Sequence, residues 1–231
     1  MLKTPTIIVN FKAYRESLGK KAVELARIAE EVSRELNVSI AVAPQATDIR
    51  LVASTVSIPV FAQAVDSVSV GALTGHVTIE SIKDAGAVGT IINHSERRVQ
   101  ISLISEVVKA SRELNLTTVV CADTPEVTAA VAALNPEFVA IEPPELIGTG
   151  IPVSKAKPEV VTNSLEKVRS VNSKSKVICG AGITTGDDVK AALRLGTVGV
   201  LLASGVVKAR DPKKVLIEMG NALIESSWSL V

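Results

Sequence analysis

Residues Thr6–Ala43 read TIIVNFKAYRESLGKKAVELARIAEEVSRELNVSIAVA and contain one complete unit of the fold. The stretch opens on a short apolar run, Thr6–Asn10, and closes on another, Ser39–Ala43. Between them Ala22, Leu25, Ala29, Val32 and Leu36 recur at steps of three and four, with Glu and Arg between them. That is the period of a helix with one apolar face. Neither flanking run alternates apolar with polar residues, as a half-exposed antiparallel strand would. Both suit strands of a parallel sheet buried on its two faces.

The unit recurs along the chain. Further runs lie at Pro59–Gln63, Thr90–Asn93, Thr118–Cys121, Phe138–Ile141, Lys176–Cys179 and Gly199–Leu202, which makes eight with the first two. Asp187 and Asp188 start a helix that ends before Gly196, and Lys213–Glu225 carries the last helical pattern. The spacer Ser67–Gly89 is thinner, with several glycines and a weak helical stretch at Glu80–Ala85. Repeated strand–helix units predict an α/β fold, a single (β/α)8 barrel over residues 1–231, and the length of 231 residues suits one such domain. An open doubly wound sheet is the second arrangement compatible with the pattern. No linker, composition shift or sequence repeat marks a second domain.

Composition narrows the function. Hydrophobic residues make up 47% of the chain and aromatics only 2%, so the core must be built from Val, Ile, Leu and Ala. Lys plus Arg number 25 against 24 Asp plus Glu, which leaves no basic field for nucleic acid or an anionic membrane. An anionic ligand therefore needs a local pocket. No apolar run spans a bilayer, and the N-terminus lacks a secretory pattern, so the expected location is cytoplasmic. Cys121 and Cys179 make neither a disulfide framework nor a metal site, and they read as reduced core residues.

In barrels of this kind the chemistry sits where the strands end. Asn10 and Lys12 follow the first run, Gln63 ends the third, and Asn93-His94-Ser95-Glu96-Arg97-Arg98 follows the fourth. Glu142-Pro143-Pro144-Glu145-Leu146-Ile147-Gly148-Thr149-Gly150 follows the sixth, Gly180-Ala181-Gly182 the seventh and Ala203-Ser204-Gly205 the eighth. Each has an ordinary reading. Lys12 alone is a surface lysine, His94 a satisfied histidine, Glu142 half of an ion pair, and the glycines tight turns. Clustered at one end of a barrel they suggest more. Lys12 suits an anion. Ser95-Glu96 can open a helix whose positive end keeps His94 neutral. Glu142, set by Pro143 after a wholly apolar run, is partly desolvated and so raised toward the useful range for a base. Gly148 and Gly150, between Pro143-Pro144 and Pro152, have the composition of a lid. His76, within Gly71–His76, reads as structural or interfacial.

At Asn10-Phe11-Lys12, NHSERR at Asn93–Arg98, and Glu142-Pro143 leading to Ile147-Gly148-Thr149-Gly150, the sequence resembles the triosephosphate isomerase family. The motifs stand in that family's order, and the resemblance covers essentially the whole chain. EPPELIGTG, CGAGIT and LLASGVVKA are similar to its compact archaeal-type branch. The resemblance implies a TIM barrel that interconverts dihydroxyacetone phosphate and glyceraldehyde 3-phosphate without cofactor or metal. It implies Glu142 as the base, His94 as the neutral electrophile and Lys12 as the ammonium at the enediolate. Asn10 lines the pocket, and Glu96 steadies the lysine. The phosphate is expected on the backbone of Gly148, Gly182, Ala203 and Ser204, with Ile147 beside it. Val70–Gly75 resembles the family's dimer loop, which implies a homo-oligomer, and the archaeal-type branch implies a tetramer. There are departures. A tyrosine and a serine that latch the lid in longer forms are replaced by Cys179 and Gly182. A hinge tryptophan is replaced by Glu145, and two glycines by Ala203 and Ser204.

Besides a structural or scaffolding role, which leaves the clustered strand-end polar residues unexplained, two other functions compete. An isomerase of larger phosphoribosyl substrates calls for acids at strands one and five, where this chain offers Asn10 and Asp123. A sugar-phosphate-binding barrel without catalysis would lack the base or the lysine, and both are present.

Overall fold

The computed structural model describes residues 2–66 and 70–228. Strands β1 (Thr6–Asn10), β2 (Ser39–Ala43), β3 (Phe61–Ala62), β4 (Gly89–Ile92), β5 (Thr117–Ala122), β6 (Phe138–Ile141), β7 (Lys176–Gly180) and β8 (Gly199–Leu202) form one parallel sheet. Its order is β2-β1-β8-β7-β6-β5-β4-β3. The two ends meet through a parallel bridge between Val42 and Val60, where the Val42 N–H donates to the Pro59 carbonyl at 3.0 Å. The sheet is thus a barrel and not an open doubly wound sheet.

The intervening helices are α1 (Lys20–Leu36), α2 (Ile49–Ala53), α3 (Ile79–Asp84), α4 (Ile101–Glu113), α5 (Pro125–Ala132), α6 (Val153–Ala156), α7 (Pro158–Val171), α8 (Gly186–Arg194), α9 (Ser204–Val207) and α10 (Pro212–Trp228). The third run is assigned as a strand only at Phe61–Ala62, inside the expected Pro59–Gln63. Pro59 has no N–H to give a ladder, although its carbonyl serves β2. In the thin spacer, α3 is short and capped by Thr78, and residues 67–69 lie outside those described. The helix expected to open at Ser95-Glu96 instead begins at Ile101, and residues after His94 form a turn closed by Arg97 N–H on the His94 carbonyl at 2.7 Å.

Strand residues alternate between two apolar layers, as the pleat requires. Ile8, Ala41, Ala43, Phe61, Ile91, Val119, Cys121, Phe138, Ala140, Ile178 and Leu201 fill the barrel interior. Ile7, Val9, Ile40, Val42, Val120, Val139, Val177, Cys179 and Val200 face the helices. Both layers are apolar, which is why the sequence runs show no alternation. Phe61 and Phe138 supply most of the aromatic bulk inside, and Gly89 yields space to the first of them. A Cβ on Gly89 would stand 2.2 Å from the Thr117 carbonyl oxygen and 2.5 Å from the Phe61 ring. Gly89→Ala is therefore expected to destabilise the fold by roughly 2–4 kcal/mol, the scale of overpacking a core against backbone. A lowered urea midpoint checks this; an unchanged midpoint would show that β4 shifts freely.

Candidate active site

Two side chains fix the first loop of the mouth. Lys12 has φ 47°, a left-handed conformation that costs a non-glycine residue on the order of 1 kcal/mol or more. Its N–H donates to Asn10 Oδ1 at 2.9 Å, and Gln63 Nε2 donates to its carbonyl at 3.0 Å and to the Ala43 carbonyl at 2.9 Å. The Lys12 ammonium then lies 2.9 Å from Glu96 Oε1. Gln63 was legible only as a polar residue at a strand end; its job of holding the Lys12 backbone needs the fold to be seen.

Asn93 fixes the second loop. It too has positive φ, 60°, and its side chain donates to the Cys121 carbonyl at 2.9 Å and accepts the Val99 N–H at 3.0 Å. Arg97 and Arg98 pair with Asp66 and Asp123 at 2.9 and 2.8 Å. Asp66 also faces His76 at 3.4 Å, so His76 belongs to the ties of this loop. No helix N-terminus stands at His94. The Glu96 backbone N–H instead points at His94 Nδ1 at 3.2 Å. A nitrogen that accepts carries no proton, so the ring's proton sits on Nε2. Nε2 faces Glu142 Oε2 at 3.5 Å.

Glu142 leaves the end of β6 with its N–H on the Ala122 carbonyl at 2.7 Å. Its side chain is buried, and Oε2 has no hydrogen-bond partner among the described residues. Burial pushes its pKa above the ordinary 4.5, against the opposing pull of the His94 ring, the Cys121 thiol and the Lys12 ammonium. Gly180 makes room for it: a Cβ there would lie 2.5 Å from Glu142 Cγ and 2.7 Å from Oε1. Cys121 and Cys179 are buried and free. Burial raises both thiols, Cys179 to about 12.

An open cleft of about 480 Å³ gathers the sequence-predicted residues Asn10, Lys12, His94, Glu142, Ile147, Gly148, Gly182, Ala203 and Ser204. Glu96 stands behind Lys12 and is not in the lining. Tyr14, Gly150, Ala181, Ile183, Thr184, Leu201 and Leu202 complete the wall. Ala181, at φ 69°, has no sequence signal for a left-handed residue. Among the described residues, no three His, Cys, Asp or Glu side chains come together as metal ligands, and no helix is long and apolar enough to cross a membrane.

Fold and mouth define a class: a (β/α)8 barrel whose charged side chains converge at the carboxyl ends of its strands. A model of the triosephosphate isomerase family matches residues 5–221. The chain is 54% identical to the triosephosphate isomerase of Methanothermus fervidus over 215 residues, 93% of this chain and 97% of that one. It is 55% identical to that of Methanosarcina acetivorans over 216 residues, 94% of this chain and 97% of the other. With that of Methanocaldococcus jannaschii the identity is 51% over 213 residues, 92% and 97% of the two chains. The chain belongs to the triosephosphate isomerase family.

The buried Glu142 carboxylate has a thermodynamic signature. Because the folded state holds its proton more tightly than the unfolded state, wild-type stability falls as pH rises from the unfolded value through the raised folded one. Glu142→Gln escapes that loss. The variant is expected to be more stable at about pH 8 by roughly 1–3 kcal/mol, with the gain closing below about pH 4.5. Unfolding curves at the two pH values measure it; a less stable variant at the higher pH contradicts it.

Proposed function

We propose that the chain interconverts dihydroxyacetone phosphate and D-glyceraldehyde 3-phosphate by proton transfer through an enediolate. The supporting observation is the facing pair of Glu142 Oε2, buried without a partner, and His94 Nε2, with Lys12 in the same cleft. Removing a proton α to a carbonyl needs a base, a donor at the oxygen and a cation for the developing charge. Glu142 takes the proton from carbon 1 and returns it at carbon 2. Oε2, without a hydrogen-bond partner, is free to take that proton, and burial raises the proton affinity of the carboxylate. His94 donates from Nε2 to the substrate oxygens. It does so as a neutral imidazole, because Nδ1 is occupied as an acceptor of the Glu96 N–H. Lys12 binds the substrate and balances the enediolate, while Glu96 steadies the ammonium and Asn10 the loop that carries it.

The phosphate lies against the backbone of Gly148, Gly182, Ala203 and Ser204, with Ile147 beside it. The lid shields the enediolate, which in water would expel phosphate. Residues 1–231 act as one catalytic domain, in the cytoplasm, with no cofactor, metal, nucleic acid or membrane partner. The chain falls in the compact archaeal-type branch and assembles as a homo-oligomer, a tetramer. The exposed apolar residues Val70 and Leu73 on the loop after β3 support self-association.

A coupled assay from dihydroxyacetone phosphate is expected to show isomerisation with chelator present and no nicotinamide cofactor in the isomerising step. Lys12→Met is expected to lose roughly 10²-fold or more in kcat/KM, since one ammonium serves both binding and charge balance. Metal dependence, or near-normal activity of that variant, would overturn the mechanism. Light scattering at micromolar concentration is expected to give a multiple of the 24.1 kDa chain mass; a monomer would reject the assembly.

A further inference from the structure

The lid leaves β6 at Glu142 and rejoins the barrel wall at α7, and Ile147, Gly148 and Gly150 at its tip line the cleft. Its two arms are held differently. The leading arm runs through Pro143 and the 3₁₀ turn Pro144–Leu146, and Glu145 there pairs with Lys157 at the lid's far end. Both partners of that pair are exposed, and solvent screens them.

The trailing arm lies on the turn after β7. The Ile151 carbonyl sits on the bare Cα of Gly182, where a Cβ would come within 1.9 Å of its oxygen. Val153 N–H reaches the Ala181 carbonyl at a long 3.4 Å. The short contact is the next one: Lys155 Nζ donates to Asp188 Oδ1 at 2.6 Å.

Asp188 is 3% exposed, and its two oxygens have divided tasks. Oδ2 accepts the N–H groups of Thr184 and Thr185 at 3.0 Å each and the Thr184 hydroxyl at 3.1 Å. That oxygen alone completes the capping box of α8. Oδ1 is not needed for the cap and is given to Lys155. One buried carboxylate therefore joins the lid's trailing arm to the segment Gly182–Thr184, which lines the cleft.

On the reading of the site given above, we infer that Lys155 and Asp188 are positioning residues. They fasten the lid onto the turn that receives the substrate phosphate, in a chain where Cys179 and Gly182 offer no hydroxyl for the purpose. The ionisation of the pair fits this. The bond to Asp188 raises the Lys155 pKa; burial opposes ionisation of Asp188, but Lys155 and the threonine donors outweigh it and hold its carboxyl below the usual range. Both groups stay charged through the neutral range, so the fastening does not switch with pH there.

The test uses Lys155, because Asp188→Asn would also remove a helix cap. Lys155→Met is expected to raise KM for the triose phosphate by about three- to tenfold, with kcat changed less than about twofold. It is also expected to increase the inorganic phosphate lost per turnover and to speed amide hydrogen exchange across residues 149–155, with a lowered thermal midpoint because Asp188 Oδ1 loses its partner. Lys155→Arg restores all of these. Wild-type KM, phosphate loss and exchange in Lys155→Met would overturn the inference, as would equal changes in Met and Arg variants. If the wild-type chain does not isomerise triose phosphates, the proposed function fails by itself, and the exchange measurement still decides whether Lys155 fastens the lid.

Discussion

The Glu142 carboxylate is buried at the end of β6 with Oε2 facing His94 and bonded to nothing. Leaving an acceptor in that state costs the fold about 1–3 kcal/mol. The surroundings are built to keep it so. Pro143 sets the backbone beyond it, Gly180 gives up its side chain to the volume that Glu142 fills, and the neighbouring Cys121 is buried. The same constraint reaches the next loop. There the Glu96 N–H donates to His94 Nδ1 and leaves Nε2 facing the carboxylate. Stability is given up at one oxygen and recovered in the apolar layers on either side of the sheet.

The fold was readable because the parallel barrel imposes a simple code: short apolar runs at the strands and a helical period between them. The bounds of β1, β2, β6 and β8 agree with the runs in the sequence. β3 was harder to bound, since the Pro59 N–H is missing and its pairing with β2 rests on a single bridge. The strand-end residues were legible for a related reason. Charged and glycine-bearing clusters after several apolar runs fall together at one end of the barrel, so their position is informative.

What was not legible depends on contacts between distant residues or on local geometry. A helix N-terminus is expected beside His94 from the sequence; the structure has a turn there, with the Glu96 N–H on Nδ1. That difference lies in the local backbone path between Asn93 and Ile101, which composition does not specify. Gly180 and Gly182 look alike in sequence, as two glycines of one turn. In space the first accommodates the Glu142 side chain and the second the Ile151 carbonyl of the lid. The Lys155–Asp188 contact joins residues 33 positions apart, and neither is unusual in its own segment.

Whether Glu142 is the group that moves the proton is measured most directly by exchange of the carbon-1 hydrogen of dihydroxyacetone phosphate with deuterium from solvent, followed by proton NMR. Wild-type protein should exchange it, Glu142→Gln should slow exchange by roughly 10²–10⁴-fold or more while still binding a phosphate-bearing inhibitor, and Glu145→Gln, on the lid hinge, should change it by about tenfold at most. Exchange that survives in Glu142→Gln and disappears in Glu145→Gln would show that the base is not Glu142.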